Sequence, residues 1–388
     1  MSKVIVFCAD GTWNGPGDSD DAEKDSPGNS NVYRLFDHLM GSALAPDGVW
    51  GLKHLQKVIN NADGTVRQVA LYTHGVGANH ALPYMQMIGG GFGGGLTTRL
   101  RLGYAFISKH YTQGDQILIT GFSRGAYTAR AVADMIGTIG LLRPEFADGH
   151  MTTSYAASAW IKYRQSLAEK YPMAPIPRAS MDAHKLFLTP LRRKLKPDYL
   201  VPADVHAIGV WETVGAMGIP QYKRGTNEKV DGYGFANPIL NSRIHHAFHA
   251  VSADERRGDF QSTLWEPDSR LRQEVFPGAH ADVGGGYPER GLSDVALAWM
   301  IDRFAESSAI EFAPLMPAEF RPNPVGVAHQ PWTHGPIYPQ RPIAVRHYPR
   351  THVLLNDAVR ARMGASSVQP DPLRPPEKYQ PANLANLF

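Results

Sequence analysis

A serine set between two glycines, in Gly121-Phe122-Ser123-Arg124-Gly125, fits the pattern G-x-S-x-G. It follows the apolar run QILIT and precedes the helix-forming stretch AYTARAVADMI. That is the setting of a nucleophile elbow, in which a serine sits on a sharp turn from strand to helix. Such a turn strains the backbone and tolerates only small neighbours, a demand that Gly121, Gly125 and Ala126 meet. The helix turns its first N–H groups and the positive end of its dipole toward a developing oxyanion, and the N–H of Arg124 is the expected donor.

A serine hydroxyl is a weak nucleophile until a base takes its proton, and the base needs a carboxylate behind it. With an elbow of this kind the chain order is serine, acid, histidine. Of the 16 histidines, His280 is best placed, because it ends the last apolar run in FPGAHADVGGGY and a glycine-rich turn follows. Glu212, in AIGVWETVGAMG, ends a strand between the two. It is the expected acid, fixing the tautomer of His280 and stabilising its imidazolium. Asp282, on the loop of the base itself, competes for that role and is otherwise expected to support the loop. A second oxyanion donor should come from Asp10-Gly11-Thr12-Trp13, through the N–H of Gly11 or Thr12, with His74-Gly75-Val76-Gly77 as the alternative. Asp10 is expected either to act directly or to bond the loop amides or the His280 turn.

These residues need a scaffold that brings strand ends together. Five short apolar runs pass at once into Gly and polar residues: 4–15, 68–77, 116–126, 205–215 and 273–286. Runs that are continuous rather than alternating point to strands covered on both faces, as in a parallel sheet with flanking helices. The fold class expected is α/β, an α/β-hydrolase fold with a mostly parallel central sheet, flanking helices and a helical cap insertion. Ligands in such sheets bind beyond the carboxyl ends of the strands, where every residue named above would lie. Helices are expected over 126–136, 155–171 and 292–305. Residues 1–142 read as the first part of the core, with the elbow, and 143–203 as a cap or lid insertion over the site. Residues 204–310 read as the second part of the core, with the acid and histidine loops. Residues 311–388, which hold 14 of the 30 prolines, read as a wrap of extended and short helical pieces.

Composition removes other classes. With 43% hydrophobic and 19% charged residues over 388 positions, the chain can bury a large core and is not disordered. The 39 Lys and Arg against 36 Asp and Glu leave only +3, with no basic run that would make nucleic acid the partner. The single cysteine, Cys8, excludes an internal disulfide. No apolar run reaches the roughly 18 to 20 residues needed to cross a bilayer. The first residues, MSKVIVFCADGTW, lack a Sec-type signal, so a protein cytoplasmic as synthesised is expected.

The segments FCADGTWN, YTHGVG, GFSRGAYTAR, GVWETVGAMG, HAVSADERR and FPGAHADVGGGY together resemble the α/β-hydrolase domain family that includes the first class of type VI secretion lipase effectors. They recur in the family's order and cover residues 4 to about 290. The resemblance implies a triad, falling here on Ser123, Glu212 and His280, and ester hydrolysis, with phospholipase A activity in the effector members. It also implies an ester or lipid substrate, peripheral contact with a membrane, and a secretion apparatus or immunity protein as partner if the chain is an effector exported by that non-Sec route. Two departures stand out: the resembling family has Asp where this chain has Glu212, and the extended membrane-binding and delivery regions of the larger effectors are not expected within these 388 residues.

The remaining signals are weaker. Residues 87–96 contain G-x-G-x-x-G without a preceding strand or an acidic partner, so a mobile loop is expected there rather than a dinucleotide site. No nucleotide or other cofactor is expected. His245 and His249 stand at i and i+4 in RIHHAFHAVSADERR, expected on a packed or surface helix, with Asp254, Glu255, Arg256 and Arg257 fastening it by ion pairs. The basic stretch LRRKLK at 191–196 reads as a solvated face or a patch for anionic lipid. The leading reading is a serine carboxylester hydrolase of lipase or phospholipase type. The alternatives are an esterase on a soluble or polymeric ester, a metal-assisted hydrolase using Asp10, Asp282 and the histidines of 245–249, and an inactive binding module on a hydrolase scaffold.

Overall fold

In a computed structural model, residues 2–11, 29–44, 54–75, 92–147, 151–170, 193–215, 221–222, 229–230, 238–314, 320–333 and 343–388 are described. Their core is one nine-stranded sheet. In chain order its strands are β1 (Val4–Ala9), β2 (Ser42–Leu44), β3 (His54–Asn60), β4 (Val66–Thr73), β5 (Gln116–Phe122), β6 (Val205–Trp211), β7 (Ile244–Ser252), β8 (Leu271–Phe276) and β9 (Leu354–Leu355). They lie side by side in the order β9-β8-β7-β6-β5-β1-β4-β3-β2. All neighbours run parallel from β9 to β4, and only β3 and β2 are antiparallel. This is an α/β fold with a mostly parallel central sheet.

Helices α1 (Asn31–His38), α2 (Phe92–His110), α3 (Arg124–Ile139), α4 (Met151–Lys170), α5 (His280–Gly284), α6 (Gly291–Ser307) and α7 (Asp357–Gly364) flank it. Strand β1 shows why both faces are covered. Ile5, Phe7 and Ala9 join one core with α2, α3 and α4, while Val4, Val6 and Cys8 join the other with α1 and α6. Alternate residues point to opposite faces of a strand, so a strand that is apolar throughout needs a layer on each side. Each large apolar side chain fully buried this way contributes about 1.5–3 kcal/mol. A third, smaller cluster sits at the β8 edge, where Tyr348, Val353, Val359, Leu384 and Leu387 of the proline-rich segment pack on Val251 and Val275.

Two expectations need correction. Residues 244–252 form the interior strand β7 and not a helix, paired to β6 and β8. A spacing of four keeps two histidines on one face of a strand as well as of a helix, because four is a multiple of the strand period of two. Helix α4, the first part of the insertion expected to lie over the site, instead buries Trp160 and Tyr163 in the core beside α3. The Tyr163 hydroxyl donates to Asp134 near the far end of α3 at 2.7 Å. Residues 171–192 of that insertion, 87–91 of the glycine-rich segment and Thr12 and Trp13 lie outside the described residues. Among the described residues no helix is long and apolar enough to cross a membrane.

Candidate active site

Ser123 stands between the end of β5 and the first residue of α3, with φ 57° and ψ −120°. That conformation is costly for any residue with a Cβ. Close packing imposes it. A Cβ on Gly121 would lie 2.4 Å from the Gly125 carbonyl oxygen, and one on Gly125 would lie 2.0 Å from that of Ala9. The elbow therefore rests directly on the end of β1. Its backbone is tied across to β6 by Ser123 N–H donating to Trp211 O at 3.1 Å. The next residue, Glu212, is the other non-glycine residue with positive φ among those described, at 50°.

Glu212 is fully buried. Its Oε2 accepts from His280 Nδ1 at 2.8 Å, and its Oε1 accepts from Ser252 N–H at 2.7 Å. Arg346, from the proline-rich segment, adds a two-pronged contact of 2.8 Å to Oε1 and 2.9 Å to Oε2. Burial alone would push the carboxyl pKa up; the Arg346 charge and the bond from His280 overcome it and hold Glu212 well below the usual carboxylate range. His280 opens α5 just beyond β8. Its ring lies 4.7 Å from that of Phe122, the residue before Ser123, and 4.9 Å from Phe260. Burial lowers its pKa and Glu212 opposes the shift, leaving it below the ordinary imidazole value. Its backbone N–H donates to Glu255 Oε2 at 3.2 Å. Glu255 in turn forms a paired contact with Arg257, 2.9 Å at Nε and 2.8 Å at the terminal nitrogen.

The structure thus brings Glu212, His280 and the elbow of Ser123 together at the carboxyl ends of three strands. Asp282 is turned away. Its Oδ1 accepts from His329 Nδ1 at 2.7 Å, and its Oδ2 accepts from the N–H groups of Ala279 and His329 at 2.8 and 2.9 Å, so it fastens the α5 turn. Asp10 accepts from Gly11 N–H at 2.6 Å, Ser30 Oγ at 2.7 Å and Tyr72 hydroxyl at 2.5 Å. Burial pushes its pKa up to about 6 against those three bonds. It is a loop anchor. The Gly11 N–H is correspondingly committed to Asp10, which corrects its expected role as an open oxyanion donor. Arg124 occupies the first position of α3. In the alternative loop, the carbonyls of His74 and Gly75 accept from Arg99 at 2.5 and 2.8 Å.

His249, offered for a metal, is buried with Nδ1 2.7 Å from Gln273 Oε1 and Nε2 accepting from Thr213 N–H at 3.3 Å. Burial lowers its pKa to about 3. His245 lies beside Asp204 at 3.6 Å, half exposed. No group of three or more His, Cys, Asp or Glu among the described residues is arranged to hold a metal ion. The acidic and basic residues after β7 fasten a loop rather than a helix, with Asp254 accepting from Gly278 N–H at 2.7 Å and Tyr379 hydroxyl at 2.9 Å. Sequence reasoning missed Arg346 and the backbone role of Glu255. Glu255 was visible only as part of a charged run, and Arg346 gave no spacing signal at all.

Residues 3–303 match the family described as the catalytic domain of Tle1-like phospholipase effectors of the type VI secretion system. The uncharacterized protein YEL023C of Saccharomyces cerevisiae is 24% identical over 254 residues, 62% of this chain and 33% of its own length. An uncharacterized protein from Pseudomonas aeruginosa has a solved structure alike at a TM-score of 0.41 and 19% identity, covering 83% of this chain and 49% of that one. The Tle1 effector bound to the VgrG spike gives 0.38 and 19%, covering 74% and 52%. The chain therefore spans about a third of the yeast relative and about half of each solved chain.

Proposed function

The chain belongs to the Tle1-like catalytic-domain family of type VI secretion phospholipase effectors, and from that premise we propose that it hydrolyses carboxylic esters of phospholipids through Ser123, His280 and Glu212. Ser123 Oγ attacks the acyl carbonyl carbon while His280 Nε2 takes its proton. Glu212 holds the Nδ1–H and stabilises the imidazolium. The tetrahedral oxyanion meets the N–H of Arg124 at the start of α3, where the helix dipole favours negative charge. Thr12 is the second donor we assign from the sequence. His280 then protonates the leaving alcohol, and a water activated by the same imidazole releases the fatty acid.

The observation that carries the reading is the 2.8 Å contact of His280 with Glu212, on a ring whose centre lies 4.7 Å from that of Phe122, the residue before the strained Ser123. Membership of an effector family also supports a component of the type VI secretion apparatus as partner. The test is hydrolysis of phosphatidylcholine and phosphatidylglycerol vesicles by the full chain and by Ser123→Ala, with circular dichroism to check folding. The expected loss in kcat is on the order of 10⁶-fold, the scale seen when such a nucleophile is removed. A fluorophosphonate label should fall on Ser123. Undiminished vesicle hydrolysis by the folded variant, or a label on a different residue, sinks the proposal.

A further inference from the structure

We infer that Arg346, which lies beyond the matched catalytic region, is a positioning residue that clamps the Glu212 carboxylate so that its Oε2 faces His280 Nδ1. The inference rests on the proposed serine mechanism and adds to it a dependence on a segment 134 residues downstream of the acid.

Both partners are buried, Glu212 at 0% and Arg346 at 3% exposure. A carboxylate taken out of water without a counter-charge protonates instead of staying ionised, and a protonated Glu212 could not accept the imidazole proton's hydrogen bond with the same strength. The guanidinium fork supplies the charge and also fixes the plane of the carboxylate, which a point charge does not. With Arg346 on both oxygens and Ser252 N–H on Oε1, the remaining acceptor site of Oε2 is left to His280.

The clamp is itself held. The Arg346 terminal nitrogens reach the carbonyls of Phe260 and Ser252. Tyr348 hydroxyl donates to the same Ser252 carbonyl at 2.6 Å. Asn383 donates to the carbonyls of Arg346 at 3.1 Å and Ala253 at 3.0 Å. Three residues of the proline-rich segment thus converge on the strand end that braces Glu212. Among the described residues, the ionisable groups near the pair besides His280 include Tyr348, His249 and Glu255, the last neutralised by Arg257. Tyr348 is pushed up to about 12 by burial, and His249 stays neutral.

The test compares the full-length wild type with Arg346→Met, Arg346→Lys, Glu212→Gln, Glu212→Gln/Arg346→Met and Glu212→Gln/Arg346→Lys, using kcat/KM for p-nitrophenyl butyrate per fluorophosphonate-titrated site across pH. Arg346→Met should lose more than about tenfold, within the roughly 10⁴-fold that neutralising a triad acid costs. Its acidic limb should move to higher pH, since an unclamped carboxyl holds its proton longer. Arg346→Lys should restore the limb and only part of the rate. In the Glu212→Gln background either change at 346 should add almost nothing, because its effect runs through the acid. A wild-type rate and limb in folded Arg346→Met, or an equal loss with and without Glu212, overturns the inference. If Arg346→Met does not fold, Arg346→Lys in the two backgrounds decides by the same criterion. Activity surviving in Ser123→Ala would instead bring down the serine mechanism, and this inference with it, whereas an inactive Ser123→Ala beside an unaffected Arg346→Met would bring down the inference alone.

Discussion

Ser123 and Glu212 are the two described non-glycine residues with positive φ, at 57° and 50°, and both are residues that the proposed chemistry needs. Backbone strain of this kind costs on the order of 1–3 kcal/mol per residue and survives only where the surroundings enforce it. Ser123→Gly should relieve it. Set against the 0.5–1 kcal/mol that glycine's flexibility costs, the net gain should be about 1 kcal/mol, read as a higher urea midpoint in a variant with no turnover. A lower midpoint would mean that Ser123 stabilises the fold by contacts that outweigh its strain. At this scale the placement of Ser123, His280 and Glu212 at strand ends was legible in the sequence because each ends an apolar run in chain order. Arg346 was not, because a lone arginine in a proline-rich stretch has no periodic neighbour to mark it. Its partner is fixed only when β6, β7 and β8 are laid side by side. Gly11 was misjudged for a similar reason: its N–H is claimed by the adjacent Asp10, whose carboxylate also gathers Ser30 and Tyr72 from elements far along the chain.

At the scale of elements the elbow is a contact between β1, β5 and α3. Gly125 carries no left-handed conformation; it is small because the Ala9 and Asp10 carbonyls leave no room. Gly125→Ala should therefore displace the end of β1 from the start of α3. Overpacking at a rigid backbone contact costs about 3 kcal/mol, so the thermal midpoint should fall well below that of the wild type, with ester turnover falling as the elbow moves. An unchanged melt would show that the two backbones part easily. The parallel strands β1, β4, β5, β6 and β8 were readable because burial on both faces demands continuous apolar runs. Strand β7 was not, since three histidines interrupt its run and their spacing suits either period. What settles it is pairing on both sides, with His249 opposite Val210 and Gln273, which is information no local window contains. Helix α4 was found where the pattern put it, but its place against α3 rather than above the strand ends depends on Trp160 and Tyr163 finding the core.

Across the whole molecule, buried ionisable groups pull stability with pH in opposite directions. Burial raises Asp10 and Asp254 to about 6 from 3.8. A carboxyl raised on folding stabilises below its unfolded value, and that share is lost as pH climbs through the folded one. Glu212, held low, works the other way: its share is present above 4.5 and is lost as pH falls through its depressed folded value. The lowered His249 and His280 also favour higher pH, because the unfolded chain takes up protons that the folded one refuses. These contributions have opposite signs, so a single pH curve mixes them and a difference between two chains isolates one. Asp254 is the useful probe, since it ties Gly278 on the His280 loop to Tyr379 of the proline-rich segment. Asn at 254 can still accept from Gly278 N–H and donate to the Tyr379 oxygen, while having no proton to lose. Unfolding in urea at steps from pH 4 to pH 7 should show Asp254→Asn gaining on the wild type as pH rises, by about 3 kcal/mol for a shift of about two units. Parallel curves for the two proteins would mean that Asp254 ionises as easily folded as unfolded, and that the joint between the His280 loop and the C-terminal segment is wetter than its burial implies.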